Sequence, residues 1–388
     1  MLAARACSDG ASERAGRDGV IERAGTDGVA AGFVALPHEL YRGDPRWIPE
    51  EPDDVARAFS PANRWHAGRA AHTFCVPGRA RAAAFFDPRS AIDGERAAFF
   101  GYWESAGDLD ADRALFARVT AWARARGATR LYGPINFSTA LGYRVLLSAE
   151  PDALPFPGEP YNPAWYGERL AALGLRLERR YLTQLVDRDR RSASLERHRR
   201  LQARLEARGY RFAAIDDAEW LGRLDELRAL ADRMFAGNFA YTPFGADEFA
   251  AAFGARLLRS LWRELSVLAH APNGDLAGFF LVYPHYGPLV VQAAGAARVA
   301  PSQLDYRRDA ARLGPRASRV ALLKTVAVNP TYRGRGVAEA MSAWLLERSE
   351  PVCDQLLGAL IREDNASRRL SAGETPALRW YGLYSLAL

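Results

Sequence analysis

The chain has 388 residues, 49% of them apolar and 25% charged, the balance of a folded, water-soluble protein long enough for two hydrophobic cores. A formal charge of +6 is too weak to specify a nucleic-acid partner, and it suits a phosphorylated cofactor or an acidic carrier protein equally well. Cys7, Cys75 and Cys353 stand far apart with no CxxC or Cys/His cluster, so neither a metal site nor a disulfide framework is expected, and a reducing, cytoplasmic setting fits.

Residues 1–28 lack the apolar core of a signal peptide and read as a disordered tail. No run approaches the roughly 20 apolar residues of a membrane span. From residue 33 the apolar pattern begins, with short strands at 72–76, 81–86 and 97–103. Residues 108–127 predict a helix: Asp108 and Asp110 are cap candidates, Leu115, Phe116, Val119, Trp122 and Ala123 share a face, and Gly127 closes it. A strand at 130–132 runs into Gly133-Pro-Ile-Asn-Phe-Ser138. A Pro/Gly-rich stretch, 151–163, leads to a helix near 164–173 and a strand at 181–186. The charged, Leu-spaced segment 187–209 predicts a basic helical connector, in which Asp187, Asp189, Glu196 and Glu206 interleave with the arginines.

The second half predicts a strand at 211–215, helices near 217–235 and 246–262, and strands at 264–271 and 276–284 around a Pro-Asn-Gly-Asp turn. An irregular stretch, 287–318, has the character of a lid or substrate loop. Then follow a strand at 320–328, a helix at 337–348, a strand at 355–362, a short helix at 365–372 and a strand at 378–387. The order defines an α/β (α+β, mixed-sheet) protein.

The informative stretch is Val320-Ala-Leu-Leu-Lys-Thr-Val-Ala-Val-Asn-Pro-Thr-Tyr-Arg-Gly-Arg-Gly-Val-Ala338, where a strand runs through a tight loop into a helix. Gly334 and Gly336 remove the side chains that would hold an anion away from the backbone. The amides of the loop and of the first helical turn, at Val337 and Ala338, can converge on phosphate oxygens, and Arg333 and Arg335 add full charges. The stretch is neither a dinucleotide fingerprint nor a Walker loop, since both GxGxxG and Gly-Lys-Ser/Thr are absent.

Arg333-x-x-Gly336-x-Ala338, preceded by Val328-x-Pro330, resembles the signature loop of the GNAT (GCN5-related N-acetyltransferase) superfamily. The resemblance implies that this loop grips the pyrophosphate of acetyl-CoA or another acyl-CoA, while backbone groups near Val326 and Val328 pair with the pantetheine arm. Downstream, Leu356–Ile361 followed by Asn365 resembles the strand and Asn-initiated helix that flank the thioester in that family, and Asn365 is also a good N-cap on its own merits. Where many family members carry a tyrosine as general acid, this chain has Ala372, followed by Gly373-Glu374.

The first half is similar to a second, degenerate GNAT domain without a phosphate loop, so one coenzyme per chain is expected. The implied architecture is a tandem GNAT fold: a tail at 1–28, a degenerate domain at 29–186, the connector at 187–209 and the acyl-CoA-binding domain at 210–388. For catalysis the candidates are Lys324, the chain's only lysine, His285, which ends a strand beside the irregular stretch, and Tyr381 and Tyr384 on the final strand. Glu363 and Asp364 flank the Asn helix and serve as cap residues. Asn136, Ser138, Tyr161, Asn162 and Tyr166 are candidates for an acceptor pocket between domains, or for turn chemistry.

The function implied is transfer of an acyl group from a CoA thioester to an amine of a small molecule. Two alternatives stand beside it: a GNAT-fold transferase drawing on a carrier-protein thioester or an aminoacyl-tRNA, and a non-catalytic module that binds acyl-CoA. The connector's arginines are the feature that would serve a carrier protein or tRNA.

Overall fold

Alternating apolar strands with amphipathic helices between them give one continuous mixed sheet rather than two separate ones. The computed structural model describes residues 16, 18–150, 153–291, 298–370 and 376–388. In the first half, β1 (Ile21–Ala24), α1 (Ala31–Leu40), α2 (Pro52–Ala58), β2 (Ala70–Val76), β3 (Ala80–Ile92), β4 (Glu95–Ser105), α3 (Leu109–Arg124), β5 (Arg130–Gly133), β6 (Val145–Ala149), α4 (Tyr166–Ala172) and β7 (Arg176–Val186) follow in order. The long helix α5 (Arg188–Glu206) joins the halves.

The second half comprises β8 (Arg211–Ala214), α6 (Asp217–Gly222), α7 (Leu224–Phe235), α8 (Ala246–Phe253), α9 (Ala255–Ser260), β9 (Val267–His270), β10 (Leu276–Pro284), α10 (Gly287–Val290), α11 (Tyr306–Asp309), β11 (Val320–Val328), α12 (Val337–Ser349), β12 (Gln355–Arg362) and β13 (Ala377–Ala387). Among the described residues no helix is long and apolar enough to cross a membrane.

The sheet order is β1-β2-β3-β4-β5-β13-β7-β12-β11-β10-β9-β8, with β6 also pairing β13. The last strand of the chain therefore lies in the first half's sheet, between β5 and β7, and β7 in turn borders β12 of the second half. Each half is completed by a strand of the other, which welds the two cores into one body.

One sequence expectation changes. The tail at 1–28 contains β1, which pairs Ile21–Ala24 with His72–Cys75. Only four residues long and isolated among charged and glycine residues, it carries too little periodicity to be read as a strand. The connector forms the helix α5, which packs on the second half. Leu195 and Leu205 of α5 pack into the second half's core, Arg191 is buried with its guanidinium donating to the Asp354 carbonyl at 2.9 Å, and Arg199 reaches Glu347 of α12 at 3.4 Å.

Local signals explain most element ends. Asp108 caps α3, its carboxylate accepting from the amides of Asp110 and Ala111 at 3.0 Å each. Asp93 and Gly94, with φ of 52° and 81°, form the tight turn joining β3 to β4.

Candidate functional site

In the second half, β11 and β12 run parallel and are paired only from Val320–Leu323 to Gln355–Gly358. Beyond that point β11 continues to Val328 and β12 to Arg362 without pairing each other, and the space between their unpaired ends is the cleft. Two irregularities mark its floor. On β11, Thr325 pairs with Leu281 and Leu323 with Val282, leaving Lys324 as the extra residue of a β-bulge. On β12, the register against β7 slips between Gly358 and Ile361, where Leu360 takes a left-handed φ of 57°.

The bulge corrects one expectation. Strict alternation puts Val320, Leu322, Lys324, Val326 and Val328 on one face. The inserted residue reverses the phase, so Ala321 and Leu323 share with Val326 and Val328 the face packed on α12, and Leu322 faces Phe156 and Leu357.

At the mouth of the cleft, Asn329 starts a turn, its side chain accepting from the amide of Thr331 at 3.2 Å. Arg333, Gly334 and Arg335 are exposed, and Gly334 and Gly336 hold φ of 73° and 86°, a conformation that glycine adopts without a Cβ clash. Gly336 is the N-cap of α12 and provides no side-chain acceptor, so the first-turn amides of Val337 and Ala338 have no side-chain cap. The Arg333 guanidinium donates to the Met234 carbonyl at 2.9 Å, which anchors the loop to α7, and Arg335 lies 5.4 Å over the Tyr332 ring. Asn365 accepts from the amide of Ser367 at 2.9 Å and opens a short 3-10 turn, Ala366–Leu370, on the far wall. Ala372, Gly373 and Glu374 lie outside the described residues.

The first half repeats the parallel pair, Ala97–Phe99 against Arg130–Tyr132, but fills its gap with its own chain. The Ile135 amide donates to the Phe100 carbonyl at 2.7 Å, and the Asn136 side chain accepts from the Tyr102 amide at 2.8 Å. A Cβ on Gly101 would lie 2.4 Å from the Ile135 carbonyl oxygen. Asn136 is thus a plug, and this half has no open cleft between its parallel strands.

The other first-half candidates are also engaged locally. Asn162 imitates a strand neighbour for Leu146, accepting from its amide at 2.7 Å and donating to its carbonyl at 3.0 Å. The Tyr161 hydroxyl donates to Asp44. Tyr166 is buried, its hydroxyl donating to Glu104 at 2.7 Å and accepting from the Ser105 amide at 2.9 Å. Ser138 is buried, and its hydroxyl has no partner. Glu363 and Asp364 meet Arg180 and Arg362 respectively.

Of the four catalytic candidates, three surround the cleft floor and one does not. Tyr384 is buried in the first half's core with Tyr166 and Leu170. Lys324 is half-buried, donates to the Pro157 carbonyl at 2.8 Å, and stands 5.4 Å over Phe156 and 5.9 Å over Tyr283. Burial lowers its ammonium from 10.5 to about 8; the Glu159 carboxylate opposes that shift and Arg144 adds to it. His285 is buried, its Nδ1 accepts from the Gly287 amide at 3.1 Å, and burial, with Arg379 nearby, lowers it to about 4, so the ring is neutral.

Tyr381 is fully buried: its hydroxyl donates to Glu159 and lies 3.0 Å from Thr183 Oγ1. Glu159 also takes the Arg379 guanidinium at 2.8 Å, and burial raises its carboxyl above the usual range. Glu159, Arg379 and Arg144 are residues that sequence reasoning passed over. Glu159 sits in the Pro/Gly-rich stretch that reads as a loop, and the two arginines hide in a general arginine bias. Among the described residues, no group of three or more His, Cys, Asp or Glu side chains could hold a metal ion.

A parallel pair that parts at a bulge, with a glycine loop opening a helix at its end, stands in the second half, and the first half repeats the pair with its own chain between the strands. No family model matches the chain. Protein YghO of Escherichia coli (strain K12) is 23% identical over 356 residues, 81% of this chain and 85% of that protein. Among solved structures, a conserved protein of Enterococcus faecalis V583 described as a probable N-acyltransferase superposes over 95% of this chain and 72% of its own, with a TM-score of 0.51 at 8% identity. A tandem GNAT protein from the clavulanic acid biosynthesis pathway covers 95% of this chain and 98% of its own, with a TM-score of 0.46 at 16% identity. The likeness to the Enterococcus faecalis protein is one of fold.

Proposed function

We propose that the protein is an N-acyltransferase that moves an acyl group, with acetyl the first to test, from a CoA thioester to the amine of a small molecule. The observation that carries this reading is the uncapped start of α12, with Gly334 and Gly336 in left-handed conformation, at the mouth of the cleft between β11 and β12. Arg335 and the amides from Gly334 to Ala338 would hold the pyrophosphate, with favourable partial charge from the helix N-terminus. Thr325 to Val328, which lack a strand partner on the β12 side, would pair with the pantetheine arm as an added strand does.

The neutral amine attacks the thioester carbonyl, the C–N bond forms and the C–S bond breaks, the nitrogen gives up one proton to solvent, and the thiolate takes one. Lys324 is the group offered for that last step. It stands at the bulge on the cleft floor, and an ammonium lowered to about 8 is close to the ordinary thiol value of about 8.5. This assigns to a lysine the role for which many relatives use the tyrosine that is absent at Ala372. Tyr381 is not offered as the acid, because its hydroxyl is fully buried and already given to Glu159.

Thiol release from acetyl-CoA over a panel of primary amines tests the reading. The expected result is turnover with at least one amine, and a Lys324→Met variant lowered in kcat by about 10²-fold or more with CoA affinity within a factor of three. CoA binding without thiol release for any amine would instead support the non-catalytic acyl-CoA-binding reading. A carrier-protein or tRNA donor is the alternative reading: of the α5 arginines, Arg188, Arg191 and Arg199 pair within the chain, and Arg200 and Arg204 are exposed.

A further inference from the structure

Arg144 is the anomaly of the cleft floor. It immediately precedes β6, holds a left-handed φ of 85°, and is 7% exposed. Its guanidinium is clamped between two rings, 3.4 Å from the Tyr143 centroid and 3.9 Å from that of Tyr181. One Nη donates to the Tyr143 hydroxyl and lies 3.4 Å from the Leu360 carbonyl, while Nε is buried with no partner. Among the described residues no carboxylate forms an ion pair with it. The other buried arginines of both halves are paired differently: Arg81 with Glu50, Arg379 with Glu159, and Arg191 with a carbonyl.

A guanidinium does not give up its proton in a protein, so a buried one without a counter-charge is a standing cost. Burial lowers Arg144 to about 9, against opposing contributions from Tyr181 and Tyr381. The left-handed backbone at Arg144 and at Leu360, whose carbonyl it approaches, shows that the surroundings hold it there against local strain.

Its position gives the charge a use. Leu360 lies on β12 just past the end of pairing with β11, and Lys324 lies on β11 just past the same point. Lys324 on β11 and the Arg144 guanidinium, which reaches the Leu360 carbonyl of β12 from the segment before β6, thus stand near the point where the pairing ends, and Arg144 contributes to the lowering of Lys324 after burial itself. Glu159 is the facing carboxylate and is already taken by Arg379 and Tyr381.

We propose that Arg144 is the seat of a carboxylate carried by the reacting substrate, held by the guanidinium near the point where the pairing ends, with the Tyr143 hydroxyl beside it. Resting on the acyltransfer reading above, this assigns the substrate class: either the acceptor is an amino acid, its neutral amine attacking while its carboxylate is bound, or the acyl group is dicarboxylic. Tyr143 and Tyr181 fix the plane of the guanidinium, and Nε is the donor left for the carboxylate.

The test uses the full-length protein labelled with 13C-lysine, in which Lys324 is the only lysine and gives a single side-chain signal. Free L-amino acids, their carboxamides, succinate and succinyl-CoA are titrated in separate arms, and acetyl-CoA in another. The proposal expects a carboxylate-bearing probe to move the Lys324 signal and raise the melting temperature, the matching carboxamide to bind at least tenfold more weakly, and Arg144→Met to abolish the difference while acetyl-CoA still binds. In turnover, KM for the carboxylated substrate rises at least tenfold in that variant, and Arg144→Lys recovers part of it. A response to amino acids places the carboxylate on the acceptor; a preference for succinyl-CoA over acetyl-CoA places it on the acyl group. If neither class outbinds its uncharged counterpart on the wild-type protein while acetyl-CoA binds, the carboxylate site is refuted and the acyltransfer reading stands. If acetyl-CoA itself does not bind, that reading falls first.

Discussion

Lys324 offers a direct quantitative check of the floor of the cleft. Lowering its ammonium from 10.5 to about 8 corresponds to about 3 kcal/mol against the charged form in the folded state. Burial is the main cause, and the single hydrogen bond to the Pro157 carbonyl recovers only part of the lost hydration. The sign follows from proton counting. Between about pH 8 and 10.5 the unfolded chain binds this proton and the folded chain does not, so folding gains stability as pH rises through that window. Below about pH 8 both states are charged and the full penalty stands. With one lysine in the chain, 13C-lysine labelling yields one 1Hε/13Cε correlation besides the backbone, and its shift against pH gives the ionisation directly. A midpoint near 8 is expected. A midpoint at or above 10 would show a solvated ammonium and would remove Lys324 from the proposed chemistry.

Further outcomes follow from the same geometry. Gly336→Ala adds a Cβ at φ 86° with Leu201 atoms 3.5 Å away, so there is room but backbone strain; a loss of roughly 1–2 kcal/mol in denaturant unfolding is expected. Asn136→Ala removes the acceptor for the Tyr102 amide and should cost about 1–3 kcal/mol in the same assay while leaving CoA affinity within a factor of two, because it plugs the first half and not the second. Glu104, buried between the Tyr41 and Tyr166 hydroxyls, is raised to about 7, chiefly by burial. The folded state therefore holds a proton that the unfolded chain loses above about 4.5, and stability falls as pH rises from about 4.5 to 7. In Glu104→Gln that slope should flatten, as read from melting temperatures between pH 4.5 and 8.

Much of the second half was legible because its strands and helix obey simple periods and end at strong punctuation. The segments 276–284, 320–328 and 355–362 are strands at those bounds, and α12 begins where Gly336 permits. Asp93-Gly94 carried the hairpin signal that joins β3 to β4, yet the strands on either side are longer than the apolar runs alone suggest.

Three features were not legible. The bulge at Lys324 depends on how β10 and β11 register, which a single strand's alternation does not encode. The exchange of β13 into the first half is a pairing between residues far apart in sequence, and no local pattern announces it. Arg144 is one arginine in an arginine-rich chain, and its clamp between Tyr143 and Tyr181 without a carboxylate exists only once the fold surrounds it. Tyr381 and Tyr384, three residues apart on the final strand, fall on opposite faces by alternation, one beside Glu159 and the other in the first half's core.

The central claim is that acyl-CoA binds at the loop opening α12, and calorimetric titration of the purified protein with acetyl-CoA and with free CoA, beside a Gly336→Glu variant, tests it most directly. Micromolar binding of both ligands by the wild type, with one site per chain and loss of binding in the variant while its melting temperature shows it folded, is the result the account predicts. Absence of binding by the wild type, or binding unchanged by the glutamate, would contradict it.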